Sequence, residues 1–545
     1  GPGTMSQPRP ILSFIDRENL PGTDVPLMGN KGANLIAMVA AGLPVPPGFI
    51  VTTEVGKRVA AGQEAVGADL RAAMNEHLQA LETVTGKVFG GADNPLLLSV
   101  RSGAAVSMPG MMDTVLNLGL SETAVHGLAK LTGDQRFAWD TYRRFIQSFA
   151  HVVLDVDAFI FDDLLDEARL SAGVEQDSQL SIEALRSLSS EFLVVVKRET
   201  GADFPQDPSK QLELALLAVF QSWNTNRARQ FRQMQGIEHD DGSAAVVQAM
   251  VFGNRDEDSC SGVYFTRNPA TGEPAPFGEY LINAQGEDVV SGIRTPNPLT
   301  KTQEGEGTSL EEAMPKAFCA LVETGENVEK HFSEVQEIEF TVESGNLFLL
   351  QTRTGKVSAK ASLRIAVDMV EEGLLTRSQA LQRCNPQDFA SQLARRVCPN
   401  EEAVPWARGM AASPGAVIGK IALTADAALS AKAQDKATIL VRPETNPNDI
   451  KGMDAAAGIL TSRGGATSHA AVVAQAMGKP CITGASSVKI DLANGLCSSQ
   501  GQVLREGDTV TMDGATGLVF KGEQPLMEPE ASPYLKTLMG WATQN

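Results

Sequence analysis

One histidine in this chain stands where residue types and spacing suit phosphorus chemistry. His469 lies inside Gly458–Gly484, GILTSRGGATSHAAVVAQAMGKPCITG. Gly464 and Gly465 permit tight turns and close approach of the backbone to a ligand. Thr467 and Ser468 suit the N-cap of the Ala/Val-rich run that follows, which puts His469 in the first helical turn. Unpaired N–H groups and the helix dipole favour negative charge there. A neutral imidazole nitrogen is a nucleophile toward phosphorus, and the same field would stabilise the phosphohistidine formed. Arg463 adds a positive charge nearby. An isolated Ser-His at a helix start more often packs or caps, so the rest of the chain has to decide.

Three further groups of residues suit a nucleotide. Lys31, in Gly29-Asn30-Lys31-Gly32-Ala33-Asn34-Leu35, sets a mobile cation beside glycine at an expected helix start. The Walker A spacing is absent, so this is another kind of phosphate contact. Arg101 ends an apolar strand, where its guanidinium can fork onto phosphate oxygens. The loop that follows, Ser107-Met108-Pro109-Gly110-Met111-Met112-Asp113-Thr114, is expected to close over the nucleotide, with Gly110 and Thr114 among its contacts. The third group is a predicted hairpin, Glu337-Ile338-Glu339-Phe340 with Leu349-Leu350-Gln351-Thr352-Arg353. Alternation puts Glu337 with Glu339 on one face, and Gln351 with Arg353 on one face. Carboxylates and an amide oxygen are hard ligands for Mg²⁺, and Arg353 would neutralise phosphate charge in transfer. Taken singly, a surface lysine, a structural arginine pair or a solvated acidic hairpin would be the plainer explanation.

Elements must hold these residues in place. β-like runs at Gly48–Thr52 and Leu96–Val100 precede a helical pattern from about Ser121 to Pro205. Strand signals return at Ala244–Phe252, Gly262–Thr266 and Glu339–Thr352. A helical connector is expected over Ala359–Arg383, followed by a polar stretch near Pro386–Pro399. A second α/β unit with short strands at Thr438–Val441, Gly458–Leu460 and Thr509–Met512 comes next, and a short helix at Tyr534–Trp541 closes the chain. The boundaries read as 5–120 and 206–355 for a first domain split by an insertion at 121–205. A connector at 356–400, a compact domain at 401–522 and a tail at 523–545 follow. With 545 residues, 43% apolar and 21% charged, the composition is that of a globular protein. A net charge of −20 argues against nucleic-acid or membrane-surface partners. Six scattered cysteines without C-x-x-C spacing indicate neither a zinc site nor a disulfide framework, and Cys481 reads as a small buried apolar residue. No membrane-spanning run or signal peptide is visible, so a cytoplasmic location is expected. Gly1–Thr4 reads as an expression remnant.

The His469 segment resembles the phosphohistidine motif GG-x-TSHAA-x-VAR-x-x-G-x-P of the dikinases that make or use phosphoenolpyruvate. Within that group it looks most like the pyruvate phosphate dikinase family. The resemblance runs almost continuously from Leu27 to Trp541 and includes KGANL, GLPVPPGF, SVRSGA, SMPGMMDTVLNLGL, YLINAQGEDVVSGIRTP and FLLQTR. Three departures stand out: Ala466 for methionine, Gln475 for arginine, and Glu337 for aspartate. The resemblance implies an α/β and α+β multidomain fold. An ATP-grasp nucleotide-binding domain with a helical insertion would be followed by a compact α/β phosphohistidine swivel domain. It implies Lys31, Arg101 and Arg353 on the phosphates of ATP and Glu339 with Gln351 at Mg²⁺. It also implies that Gln248-Ala249-Met250-Val251 is the strand edging the adenine. Thr467 corresponds to a regulatory phosphorylation site of some relatives, although an N-cap role is the plainer account of it.

That resemblance implies an ATP-dependent phosphotransferase in which the β-phosphoryl of ATP reaches His469, with phosphate as co-substrate and AMP and pyrophosphate as products. The family's phosphoenolpyruvate/pyruvate barrel, which needs about 250 residues, has no counterpart after the tail. Two explanations fit: a chain cut at the linker, or a natural short protein that hands its phosphoryl group to a separate acceptor protein or domain. The family dimerises largely through that barrel, so a monomer is expected here. Two rivals differ in class: a water-using dikinase resembling phosphoenolpyruvate synthase, and a non-catalytic nucleotide-binding regulatory module. Swivelling is expected about residues 356–410.

Overall fold

The computed structural model describes residues 9–544 apart from 64–65, 107, 109, 292–294, 304, 386–387, 390–391, 393–394 and 529–531. Ser107 and Pro109 of the expected closing loop, Gly292–Arg294 of the quoted motif, Pro386 and Pro529 therefore lie outside the described residues. The chain is mixed α/β and divides into two compact units, residues 1–251 and 252–545.

The first unit is built on a five-stranded antiparallel sheet. Its strands are β1 (Ile11–Ser13), β2 (Gly48–Val51), β3 (Leu98–Ala104), β4 (Thr114–Leu118) and β5 (Ser243–Ala249), in the order β1-β2-β5-β3-β4. Three helices precede β3: α1 (Val25–Ala40), α2 (Thr53–Ala60) and α3 (Ala68–Thr85). The sequence reading gave this stretch β-like runs and turns and overlooked α3. Its signal is present all the same, because Leu70, Met74, Leu78 and Leu81 recur at helical spacing and are buried, and Gly86 ends the helix in the left-handed conformation.

Between β4 and β5 lie six helices: α4 (Glu122–Thr132), α5 (Gln135–Val152), α6 (Ala158–Ala172), α7 (Ile182–Thr200), α8 (Pro208–Gln221) and α9 (Asn226–Gln235). The helical run thus continues well past residue 205. The Pro205-Gln206-Asp207 interruption starts a new helix, since the Asp207 carboxylate accepts from the Ser209 N–H and Pro208 occupies the first helical position. Phe145, Phe149 and Phe204 form an edge-on aromatic cluster in this segment.

The second unit holds two larger sheets. The first has five antiparallel strands: β6 (Cys260–Phe265), β7 (Phe277–Ile282), β8 (Asn297–Pro298), β9 (Gln336–Glu343) and β10 (Asn346–Thr354), in the order β8-β7-β6-β9-β10. Helix α10 (Gly286–Ser291) follows β7, and α11 (Pro315–Phe332) packs on β9 and β10. The connector forms α12 (Ala359–Glu371) and α13 (Arg377–Arg383), which bury Leu363, Val367 and Met369. The last sheet has eight strands: β11 (Ala407–Arg408), β12 (Met410–Ser413), β13 (Ala416–Ala422), β14 (Thr438–Arg442), β15 (Gly458–Thr461), β16 (Cys481–Thr483), β17 (Thr509–Asp513) and β18 (Leu518–Lys521). Their order is β11-β18-β17-β13-β14-β15-β16-β12, with β13 to β16 mutually parallel. Crossovers through α14 (Ala425–Ala433), α15 (Ile450–Ala455) and α16 (His469–Met477) join the parallel strands. Ile439, Val441, Leu460 and Ile482 fill its core.

The final helix, α17 (Pro533–Thr543), returns to the connector. Leu535 and Leu538 share a core with α12, and Arg364 and Arg377 lie over the rings of Tyr534 and Trp541. Residues 396–397 and 526–527, which bracket the eight-stranded sheet in sequence, pair as a short antiparallel ribbon. Among the described residues no helix is long and apolar enough to cross a membrane.

Candidate active site

The histidine is presented as its spacing predicts. The buried strand β15 delivers the chain into the loop 462–468, and α16 begins at His469 itself. Ser468 is extended, caps the helix by accepting from the Ala471 N–H, and donates its own hydroxyl to the Gly465 carbonyl at 2.9 Å. Ala470, Ala471, Val473 and Ala474 are buried, which fixes the rotation of the helix and leaves His469 half-exposed with its Nε2 turned away from solvent. His469 Nδ1 lies 2.9 Å from Thr445 Oγ1, in the turn after β14. Thr445 is buried. With Nδ1–H donating to that oxygen, Nε2 carries the lone pair and is the nucleophilic nitrogen. Arg463 is exposed and 3.9 Å from Glu444.

The N–H groups just before the helix meet a carboxylate of the five-stranded sheet. Glu279 on β7 accepts from the Ala466 N–H, the Thr467 N–H and the Thr467 hydroxyl, the last at 3.1 Å. Glu279 is 2% exposed. Burial pushes its carboxyl above the ordinary range, only partly offset by these donors. A Cβ on Gly465 would sit 1.8 Å from Glu279 Oε1, so the close approach that the double glycine implied is made to a protein carboxylate. The departures Ala466 and Gln475 both bear on this seating. Ala466 is buried with its N–H on Glu279, and Gln475 donates to the Ala412 carbonyl at 2.6 Å, tying α16 to β12.

The predicted hairpin is β9 and β10. Glu337 lies opposite Arg353 and Glu339 opposite Gln351, so the four side chains share one face. Arg353 donates to both oxygens of Glu337, at 3.0 and 2.7 Å. Burial alone would lower the Arg353 pKa, but Glu337 and Glu339 raise it, so the guanidinium stays charged. Glu337 therefore acts first as the partner that orients Arg353. Gln351 Nε2 donates to Glu339 at 2.6 Å, and this leaves Gln351 Oε1 buried without a hydrogen-bond partner among the described residues. An unpaired amide oxygen beside a carboxylate is a hard donor pair that fits Mg²⁺. No group of three or more His, Cys, Asp or Glu side chains gathers as a metal cage among the described residues. Lys356, a few residues beyond, is pushed below its ordinary pKa by burial and by Arg353.

One alignment unites the histidine loop with this hairpin. Glu279 pairs with Val263, Val263 with Glu339, and Glu339 with Gln351. The carboxylate that seats the loop and the metal-suited pair thus occupy one row across the sheet, on one face, two strands or about 10 Å apart.

In the first unit, Arg101 on β3 lies opposite Thr114 on β4 and Val246 on β5. Lys31 follows Gly29, which breaks α1 with φ 73°. A Cβ on Gly29 would lie 2.1 Å from the Gly103 carbonyl oxygen, so glycine lets α1 rest directly on β3 beyond Arg101. A Cβ on Gly103 would be 3.7 Å from the Lys31 side chain, which places Lys31 beside the Arg101 strand. Gln248 is buried and donates to the Pro46 carbonyl at 2.9 Å. Met250 follows β5, half-exposed, with its N–H on the Leu97 carbonyl. Gly110 is exposed, but the downstream end of its loop is anchored. Met111 is fully buried, and Asp113 takes a 2.8 Å hydrogen bond from Arg227 on α9.

Sequence reasoning missed Glu279, Thr445, Lys356 and the Asp113–Arg227 pair. Glu279 carried a weak signal, a carboxylate at an apolar position of the strand FGEYLI. Thr445 and the Asp113–Arg227 pair had none, since their partners lie far away in sequence, and Lys356 had none because its burial comes from the fold.

Residues 62–318 and 300–374 match the family described as pyruvate phosphate dikinase, AMP/ATP-binding domain. Residues 434–517 match the mobile domain of PEP-utilising enzymes. The chain is 47% identical over 519 residues to the pyruvate, phosphate dikinase of Rhizobium meliloti, covering 94% of this chain and 58% of that protein. It is 46% identical to that of Entamoeba histolytica, covering 98% of this chain and 60% of the relative. With that of Clostridium symbiosum it shares 45%, covering 95% and 58%. The chain thus spans somewhat under two thirds of the length of these relatives.

Proposed function

This chain belongs to the pyruvate phosphate dikinase family, and from that premise we propose that it carries out the nucleotide half of a dikinase reaction. The β-phosphoryl of ATP passes to His469. In this scheme Nε2 attacks the β-phosphorus and AMP leaves, giving a pyrophosphorylated histidine. Inorganic phosphate then takes the terminal phosphoryl, releasing pyrophosphate and leaving phospho-His469. The observation that carries the reading is the seating of the His469 loop on the sheet row that also holds Glu339 and Gln351.

The residues have distinct tasks. Lys31, Arg101 and Arg353 offset phosphate charge, and the Glu337 fork holds the plane of the Arg353 guanidinium. Glu339 and Gln351 hold Mg²⁺, which supplies charge neutralisation on the transferring phosphates. Thr445 holds the imidazole tautomer. Gly110, Thr114, Gln248 and Met250 are assigned to contacts with the nucleotide. The first unit with the five-stranded sheet is read as an ATP-grasp domain interrupted by helices, and the eight-stranded sheet as the swivel domain. Pyruvate, which the relatives' names carry, is the acceptor class proposed for the complete reaction. Regulation at Thr467 requires the loop to leave Glu279, since the hydroxyl is buried on it.

The test is incubation with Mg²⁺ and β-labelled ATP, with and without phosphate. Acid-labile label on His469, with AMP release stimulated by phosphate, is expected, and His469→Asn should abolish it. Label persisting in His469→Asn refutes the assignment. Release of AMP indifferent to phosphate would transfer the chain to the water-using class.

A further inference from the structure

Glu279 is a buried charge with an unusual setting. Its donors are two backbone N–H groups and one hydroxyl, and no cation pairs with it among the described residues. A buried carboxylate held in this way is costly unless the contact it makes serves a purpose. Its donors come from a segment nearly two hundred residues later in the chain, within the loop that ends at His469. The backbone geometry before α16 is an anion trap, and in this arrangement the anion is a side chain of the sheet.

The consequence follows from charge. A phosphoryl group carries about −1.5 to −2 at pH 7. Phosphorylated His469 would place that charge two residues along the chain from Thr467, whose N–H and hydroxyl are donated to Glu279, a carboxyl with no counter-cation among the described residues. Two anions cannot share one desolvated trap without strong repulsion. The loop packs on Glu279 through Gly465 with no Cβ between them, so the seat is a contact of backbone N–H groups with a carboxylate.

We propose that Glu279 is the positioning residue that latches the unphosphorylated histidine loop onto the nucleotide-binding sheet, and that the phosphoryl group on His469 opens the latch. The loop is held beside Glu339 and Gln351 while it awaits a phosphoryl group and is expelled once it carries one. Directionality then comes from the product's own charge. Mutual exclusion of Glu279 and phospho-His469 keeps the loaded histidine from lingering where it was loaded. This rests on His469 as the phosphoryl carrier, as proposed above.

The experiment is hydrogen exchange of the full chain, following peptides that span 462–472. Phosphorylation is done with phosphoramidate, a chemical donor to histidine that needs no nucleotide, and its extent is read by intact mass. A failure of the ATP reading therefore leaves this test intact. In the unphosphorylated chain the Ala466 and Thr467 amides should be protected, and Gly465→Ala, whose methyl occupies the carboxylate's position, should speed their exchange at least about tenfold. Phosphorylated chain should exchange like Gly465→Ala. Glu279→Gln, which keeps the shape and removes the charge, should retain protection after phosphorylation. Equal exchange in wild type and Gly465→Ala would show that there is no latch. Protection surviving in phosphorylated wild type, or lost equally in phosphorylated Glu279→Gln, would overturn release by charge.

Discussion

Thr445→Val removes one hydroxyl and keeps the side-chain shape, which isolates the hydrogen bond to His469 Nδ1. Thr445 is 5% exposed and its Oγ1 is 2.9 Å from the ring nitrogen, so water does not readily replace the lost partner. A buried polar group left without its partner costs about 1–3 kcal/mol. Here the cost falls on the state in which Nδ1 bears the proton and Nε2 the lone pair, which is the reactive tautomer. Converted at 1.4 kcal/mol per tenfold, that is roughly 5- to 150-fold slower phosphorylation of His469. The assay is a single-turnover time course of acid-labile label from β-labelled ATP at saturating nucleotide. The concentration of ATP giving half-maximal rate should stay near wild type, because Thr445 contacts the histidine and not the nucleotide. Thr445→Ser should recover most of the rate. A Thr445→Val time course within twofold of wild type would refute the reasoning, as would a loss that Thr445→Ser fails to rescue.

Three other outcomes are expected. Arg353→Met leaves Glu337, whose side chain is 6% exposed, without its cation, and should loosen the Gln336–Thr354 hairpin by about 3 kcal/mol, read as faster amide exchange there. Burial would raise the Asp140 pKa, but Arg143 and Arg144 more than reverse this and hold the carboxyl well below the carboxylate range. A depressed pKa stabilises the folded state above the unfolded value, about 3.9. Amides of Gln135–Val152 should thus exchange faster in Asp140→Asn than in wild type at pH 6, with the difference shrinking below about pH 4. Thiol reagent on the native chain should modify exposed Cys319 and Cys398 and spare Cys481, whose thiol is buried and pushed up in pKa. Modification of Cys481 at a comparable rate would contradict the packing of α16 on β16.

Local signals were legible because local physics produces them. The Ser468 cap, the His469 helix start and the Glu337–Arg353 hairpin each depend on neighbours within a few residues or on strict alternation. The helices between β4 and β5 were legible by periodicity, whereas α3 was passed over among glycines. Glu279 and Thr445 were not legible. Each is an ordinary residue until the fold sets it against a loop far along the chain, and nothing in FGEYLI or PETNPND announces the partner. The glycine pair permits close approach of a ligand, and the group that approaches Gly465 is a carboxylate of the protein itself. Sequence states that a backbone is open to an anion and does not state which anion.

The ribbon of residues 396–397 against 526–527 bears on the swivelling proposed for the histidine domain. A domain on one strand of linker can spin and wander. A domain whose entry and exit strands are stitched together resists twisting and bends across the flat of the ribbon, as a door turns on a hinge plate. With α17 folded back on α12, the fixed leaf of that hinge is formed by segments from both sides of the domain. If the histidine domain swivels as proposed, the reach of His469 would be an arc of set radius, and its encounters with successive sites a matter of angle instead of diffusion.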